Sequence, residues 1–158
     1  MKRIVVVGDS LSGKSTFIQG ICNQSKGVFK EIRSGMEFTT LIINGLQYLF
    51  INSMTISADI DEQVIGNIDG VILLYRNKIN DYYLEKYNNK PIIICKNDTN
   101  KLLTFKEYEY NNKTYDIIPI DTIEGAFIVE AIFRIERLIR QNNFSYPNIG
   151  GIYRNSKL

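Results

Sequence analysis

Residues Gly8-Asp9-Ser10-Leu11-Ser12-Gly13-Lys14-Ser15 obey the spacing G-x-x-x-x-G-K-[ST]. The apolar run Ile4-Val5-Val6-Val7 stands before them, and a segment with helical character, Lys14–Cys22, follows. A strand, a glycine-bounded loop and a helix in that order form a cradle for phosphate. Glycines let the backbone curl tightly, so that successive N–H groups point inward at an anion. The positive end of the following helix adds to the attraction. In this reading Lys14 neutralises the terminal phosphates, the Ser15 hydroxyl holds Mg²⁺, and Thr16 continues the site onto the helix.

Strand and helix signals alternate along the 158 residues, which implies an α/β fold with a mainly parallel sheet. Lys2–Val7 reads as the first strand. Asn23–Ser34 is polar and irregular. Met36–Ile43 and Leu46–Asn52 are β-rich and joined by Asn44-Gly45, a strong two-residue hairpin signal. Gly70–Tyr75 and Pro91–Lys96 are almost continuously apolar, as strands covered on both faces are. Tyr115–Ile120 reads as the last strand and Gly125–Gln141 as the last helix, with Ile128, Ala131, Ile132, Ile135, Leu138 and Ile139 on one face. Ile79–Asn89 and Thr99–Asn112 are short for crossovers. They suit a single helical turn or a hairpin, the latter with Asn111-Asn112 between Glu107–Tyr110 and Lys113–Ile117.

Charge and composition exclude several functions. The net charge is +2 and no run of Lys and Arg exceeds two, so no basic face for nucleic acid is expected. Histidine is absent, which removes imidazole bases and ligands. Cys22 and Cys95 fall in apolar elements and read as core residues rather than a disulfide. No stretch approaches the roughly 18 apolar residues of a membrane span. No signal peptide or direct lipid anchor is expected, so the cytoplasm is the expected compartment. The final Ser156-Lys157-Leu158 spells a peroxisomal address.

At the end of the Pro91–Lys96 run stands Cys95-Lys96-Asn97-Asp98. Carboxyl ends of strands are where open α/β sheets collect ligands. A carboxylate accepts only, so Asp98 suits the paired N1–H and N2–H₂ donors of guanine and meets a repulsive acceptor in adenine. The Lys96 stem can lie along the base.

With these residues in view, the chain resembles the Ras-superfamily small GTPases, and most of all the Rab branch. Lys2–Ser15 is similar to the Rab opening, Gly35-Met36-Glu37-Phe38 to its Gly-Val-Glu-Phe, Asp69–Tyr75 to its fourth strand, and Cys95–Asp98 to Asn-Lys-x-Asp. Asp121-Thr122-Ile123 falls on the family's Ser-Ala-Lys base loop. The resemblance implies a P-loop NTPase fold with a six-stranded, mainly parallel sheet and helices on both faces. It spans residues 1–142, leaving 143–158 as a polar tail. It implies GTP or GDP with Mg²⁺ as ligands, and a protein effector or regulator as partner.

The chain departs from the family where the terminal phosphate is sensed. Asn52-Ser53-Met54-Thr55-Ile56 replaces Asp-x-x-Gly-Gln. Asn52 supports a metal less well than Asp, Thr55 resists the backbone angles open to Gly, and Ile56 cannot orient water. Arg33 stands at the first-switch Thr, with Ser34 and Thr39 as substitute metal ligands out of register. Arg33 could act as an arginine finger in cis, and Phe29 could stack at the base or anchor the core. The expectation is a guanine-nucleotide switch or scaffold in which GTP hydrolysis is slow or absent. A module that interacts with partners independently of nucleotide is the alternative.

Overall fold

Apolar runs without alternation end up where both faces of a sheet are covered, and three of them form the centre of this molecule. The computed structural model describes residues 1–53, 65–98 and 105–143. In chain order the elements are β1 (Lys2–Gly8), α1 (Lys14–Gln24), β2 (Glu31–Arg33), β3 (Met36–Ile43), β4 (Leu46–Ser53), β5 (Gly70–Tyr75), α2 (Asp81–Lys86), β6 (Ile92–Asn97), β7 (Lys106–Tyr110), β8 (Lys113–Ile120) and α3 (Ile128–Asn143).

One eight-stranded sheet runs in the order β2-β3-β4-β1-β5-β6-β8-β7. β1 lies between β4 and β5, and β5, β6 and β8 continue in parallel. Both edges are antiparallel. The six strands expected from the sequence are therefore corrected to eight. The additions are β2, inside the segment read as irregular, and β7, the outer arm of a hairpin. Each is held by one neighbour and a tight turn. Ser34-Gly35 and Asn111-Asn112 all have positive φ, as does Asn44-Gly45 between β3 and β4.

Helices cover both faces. Phe17, Ile18 and Ile21 of α1 and Ile128, Ala131, Ile132, Ile135 and Ile139 of α3 pack on Ile4, Val6, Phe50, Ile72, Ile93 and Cys95. On the opposite face Leu84 of α2 and Tyr87 meet Val5, Val7, Leu73 and Ile94. Alternation within β1, β5 and β6 thus divides one set of apolar strands between two cores. Short α2 is tied to the β7–β8 hairpin by tyrosines: the Tyr108 hydroxyl donates to Asp81 and the Tyr110 hydroxyl to Glu85. The hairpin's outer arm, β7, extends the sheet at its edge beside β8. Among the described residues no helix is long and apolar enough to cross a membrane. The 144–158 tail, with Ser156-Lys157-Leu158, lies outside the described residues.

Candidate functional site

The loop between β1 and α1 sits at the carboxyl end of β1, between the carboxyl ends of β4 and β5. Three of its residues hold positive φ: Gly8 at 150°, Leu11 at 66° and Gly13 at 100°. A Cβ on Gly8 would lie 2.4 Å from the Leu74 carbonyl oxygen, so only glycine allows β1 to turn here. Gly8→Ala is expected to cost about 2–3 kcal/mol of stability, read as a shift of the urea midpoint.

Side chains hold the loop's carbonyls. Lys14 Nζ donates to the Gly8 and Asp9 carbonyls, each at 2.9 Å. Arg76 Nε donates to Leu11 O at 2.8 Å, Tyr83 Oη to Gly8 O at 3.3 Å, and Asn97 Nδ2 to Ser12 O at 3.0 Å. Asn80 Nδ2 reaches the Asp9 carboxylate at 2.7 Å. A trans peptide points its N–H away from its C=O. The amides of Asp9, Ser10 and Gly13 therefore point away from the donors that hold the Gly8, Asp9 and Ser12 carbonyls. Burial lowers the Lys14 pKa, and Asp9 partly opposes this.

Asn97 is the junction of this region. Its amide nitrogen holds the phosphate loop, and its Oδ1 accepts from Thr122 N (3.3 Å) and Thr122 Oγ1 (3.2 Å). A Cβ on Gly13 would fall 2.2 Å from Asn97 Nδ2, so the two residues interlock. Through Asn97 the structure connects the Asp121–Ile123 loop to the phosphate loop, with Thr122 making the bonds. Asp121 caps its own turn, its Oδ1 accepting from the amides of Ile123 and Glu124, while the Ile123 side chain is exposed. Cys95, at the first place of the base motif in the sequence reading, is a fully buried core residue. Lys96 and Asp98 lie beside each other, Nζ to Oδ2 at 3.7 Å. From this strand end, Asn97 bonds to the phosphate loop.

A second cluster surrounds Ser15. Its hydroxyl donates to Glu37 Oε2 at 2.8 Å. Asn52 Nδ2 donates to Glu37 Oε1 at 2.7 Å, and Lys30 Nζ stands 3.0 Å from Oε2. The Glu37 side chain is 2% exposed. Burial pushes its pKa up, but hydrogen bonds from Asn52, Ser15 and Lys30 outweigh that and hold it below the ordinary value. Asn52 Oδ1 and Ser12 Oγ are buried without a hydrogen-bond partner among the described residues. The antiparallel register pairs Glu37 with Asn52 directly, which explains why an acid on β3 meets an amide on β4.

Other sequence-stated candidates sit elsewhere. Arg33 is on the edge strand β2, exposed, over the Phe38 ring at 5.7 Å and 3.7 Å from Glu31; none of its contacts is with the phosphate loop. Thr39 is no substitute metal ligand: it is buried, donating to Phe29 O and accepting from the Cys22 thiol. Ser34 is a turn residue with φ 52°. The Phe29 side chain is 76% exposed, so it anchors no core. Met54, Thr55 and Ile56 lie outside the described residues. Glu37, Lys30, Asn80 and Asn97 were missed as site residues. The signal for Glu37 was an acid on the inward-facing register of an apolar strand; for Asn97 it was an amide in register with Ile93 and Cys95.

No protein-family model matches the sequence, and no curated protein does. Solved structures do match. The cytosolic domain of the T. maritima FeoB iron transporter, in apo form, superposes with a TM-score of 0.64 at 13% identity, covering 89% of this chain and 64% of that one. The G domain of the same transporter gives 0.61 at 13% identity, covering 87% of this chain and 98% of that one. The chain has the P-loop NTPase fold of a G domain. It spans somewhat less than two thirds of the FeoB cytosolic domain's length.

Proposed function

We propose that the chain binds a guanine nucleotide, GTP or GDP, in the loop Gly8–Thr16, and acts as a switch or scaffold toward a protein partner. The carrying observation is the glycine-bounded loop at the carboxyl end of β1, closed around Lys14, whose Nζ bonds the Gly8 and Asp9 carbonyls. The G-domain fold supports the same reading. Hydrolysis is proposed to be slow or absent. Ile56 has no polar atom to orient water, and Arg33 is engaged with Phe38 and Glu31 on β2.

The test is to purify the chain without added nucleotide, denature it and chromatograph the supernatant. GDP or GTP is the expected result; adenine nucleotide, or none together with no heat on titration with GDP, overturns it. Two registers of the base motif make different demands. With Asp98 as base reader, a carboxylate pairs with guanine and a preference over adenine of about 100-fold or more is expected. A register beginning at Asn97 puts Asp98 at the Lys place and Asn100, outside the described residues, at the Asp place. An amide both donates and accepts, so guanine and adenine would then bind within about tenfold of one another.

The second reading, a nucleotide-independent interaction module, is favoured by one observation. Ser15 and Glu37 satisfy each other, and Lys14 is bonded within its own loop, so the two groups a nucleotide would recruit already have partners in the protein.

A further inference from the structure

We infer that the Lys30 ammonium stands where a divalent cation would, beside Ser15, so that this chain holds a nucleotide's terminal phosphates without magnesium. The inference rests on the nucleotide reading above and concerns how that site is charged.

The donor set that the described residues place around Ser15 does not suit Mg²⁺. That ion demands near-octahedral oxygen coordination and gives up water reluctantly. Among the described residues the carboxylate bonded to Ser15 is Glu37, and both its oxygens are engaged, Oε1 by Asn52 and Oε2 by Ser15 and Lys30. Asn52, where the resemblance implies an Asp, contributes one neutral oxygen. A dication placed here would face the Lys30 ammonium across a carboxylate whose charge is spent.

The ammonium, by contrast, fits. Lys30 Nζ and Ser15 Oγ share one oxygen of Glu37, so the positive charge lies next to the hydroxyl that opens α1. An ammonium has three donors, of which Glu37 takes one. Its four-carbon stem is flexible, and the side chain is 25% exposed, so the others can reach phosphate oxygens. Lys14 covers the phosphates from within the loop and Lys30 from the side of Ser15. With Asn52 neutral, Glu37 is left to hold the lysine.

The test is titration calorimetry of the full chain with GDP, once in millimolar Mg²⁺ and once in excess EDTA, for wild type, Lys30→Met and Lys30→Arg, with thermal melts to confirm folding. Wild-type affinity is expected to change by less than about threefold between the two buffers. Lys30→Met is expected to lose about tenfold or more in EDTA, and Lys30→Arg, which keeps the charge, to stay within about fivefold of wild type. A wild-type loss of about tenfold or more in EDTA overturns the inference and leaves the nucleotide reading standing, as does a folded Lys30→Met with undiminished affinity in EDTA. If Lys30→Met does not fold, the wild-type and Lys30→Arg arms decide. No heat from wild type in either buffer overturns the nucleotide reading, and this inference with it.

Discussion

Lys14→Ala is expected to weaken GDP binding by about 100-fold or more, close to 3 kcal/mol, while the urea midpoint of the unliganded protein moves by less than about 1 kcal/mol equivalent. The two effects separate because the Lys14 ammonium has little to do in the empty fold. Its two acceptors each keep another donor: Tyr83 Oη on Gly8 O, and the Ser12 amide on Asp9 O. Burial opposes its charge more than Asp9 supports it, as the lowered pKa records, so its removal relieves a desolvation cost that a bound phosphate would further offset. Calorimetry with GDP and urea unfolding on the same preparations check both parts. Equal affinity in the variant would mean that phosphate does not lie in the loop. If a partner protein is captured equally by wild type and variant, the nucleotide-independent reading gains.

How far the sequence carried depends on what each element needs. Strand β1, the phosphate loop, the Asn44-Gly45 hairpin and strand β5 were legible to within a residue, because each is dictated locally by apolar runs and turn residues. Last-helix amphipathicity was equally local, although α3 starts at Ile128 rather than Gly125, since Gly125 and Phe127 both hold positive φ. Edge strand β2 was not legible. Three exposed residues, Glu31-Ile32-Arg33, become a strand only because β3 is there to pair with. The site divided in the same way. Gly8, Gly13, Lys14 and Ser15 form one contiguous motif. Asn97, Glu37 and Lys30 acquire meaning from contacts across the sheet, where spacing along the chain is silent. Asn97 shows the limit well. It lies between Lys96 and Asp98, which carry the chemical signals, yet it is Asn97 whose amide bonds to the phosphate loop.

Glu37→Ala is expected to be the most destabilising change at the site, by about 3–5 kcal/mol, because it strips a buried anion from the groups arranged around it. Lys30 would keep its charge without a partner, Ser15 Oγ would lose its acceptor, and the Asn52 amide, already short of one partner at Oδ1, would lose the other. Glu37→Gln keeps the shape and one acceptor, so a loss nearer about 1–2 kcal/mol is expected. The pair of variants also predicts a pH dependence. Glu37 has its folded-state pKa below the unfolded value, so its contribution is complete above the unfolded carboxylate pKa of about 4.3 and drains away as the pH falls through the folded value. Glu136, held low by Arg140, contributes a loss of the same sign in the same acid range, so wild type alone does not isolate Glu37. The difference between wild type and Glu37→Gln does. Their urea midpoints should stand furthest apart near neutrality and converge on acidification below about pH 4. Parallel curves over that range would mean that the Glu37 carboxylate is not held by these donors in the folded protein.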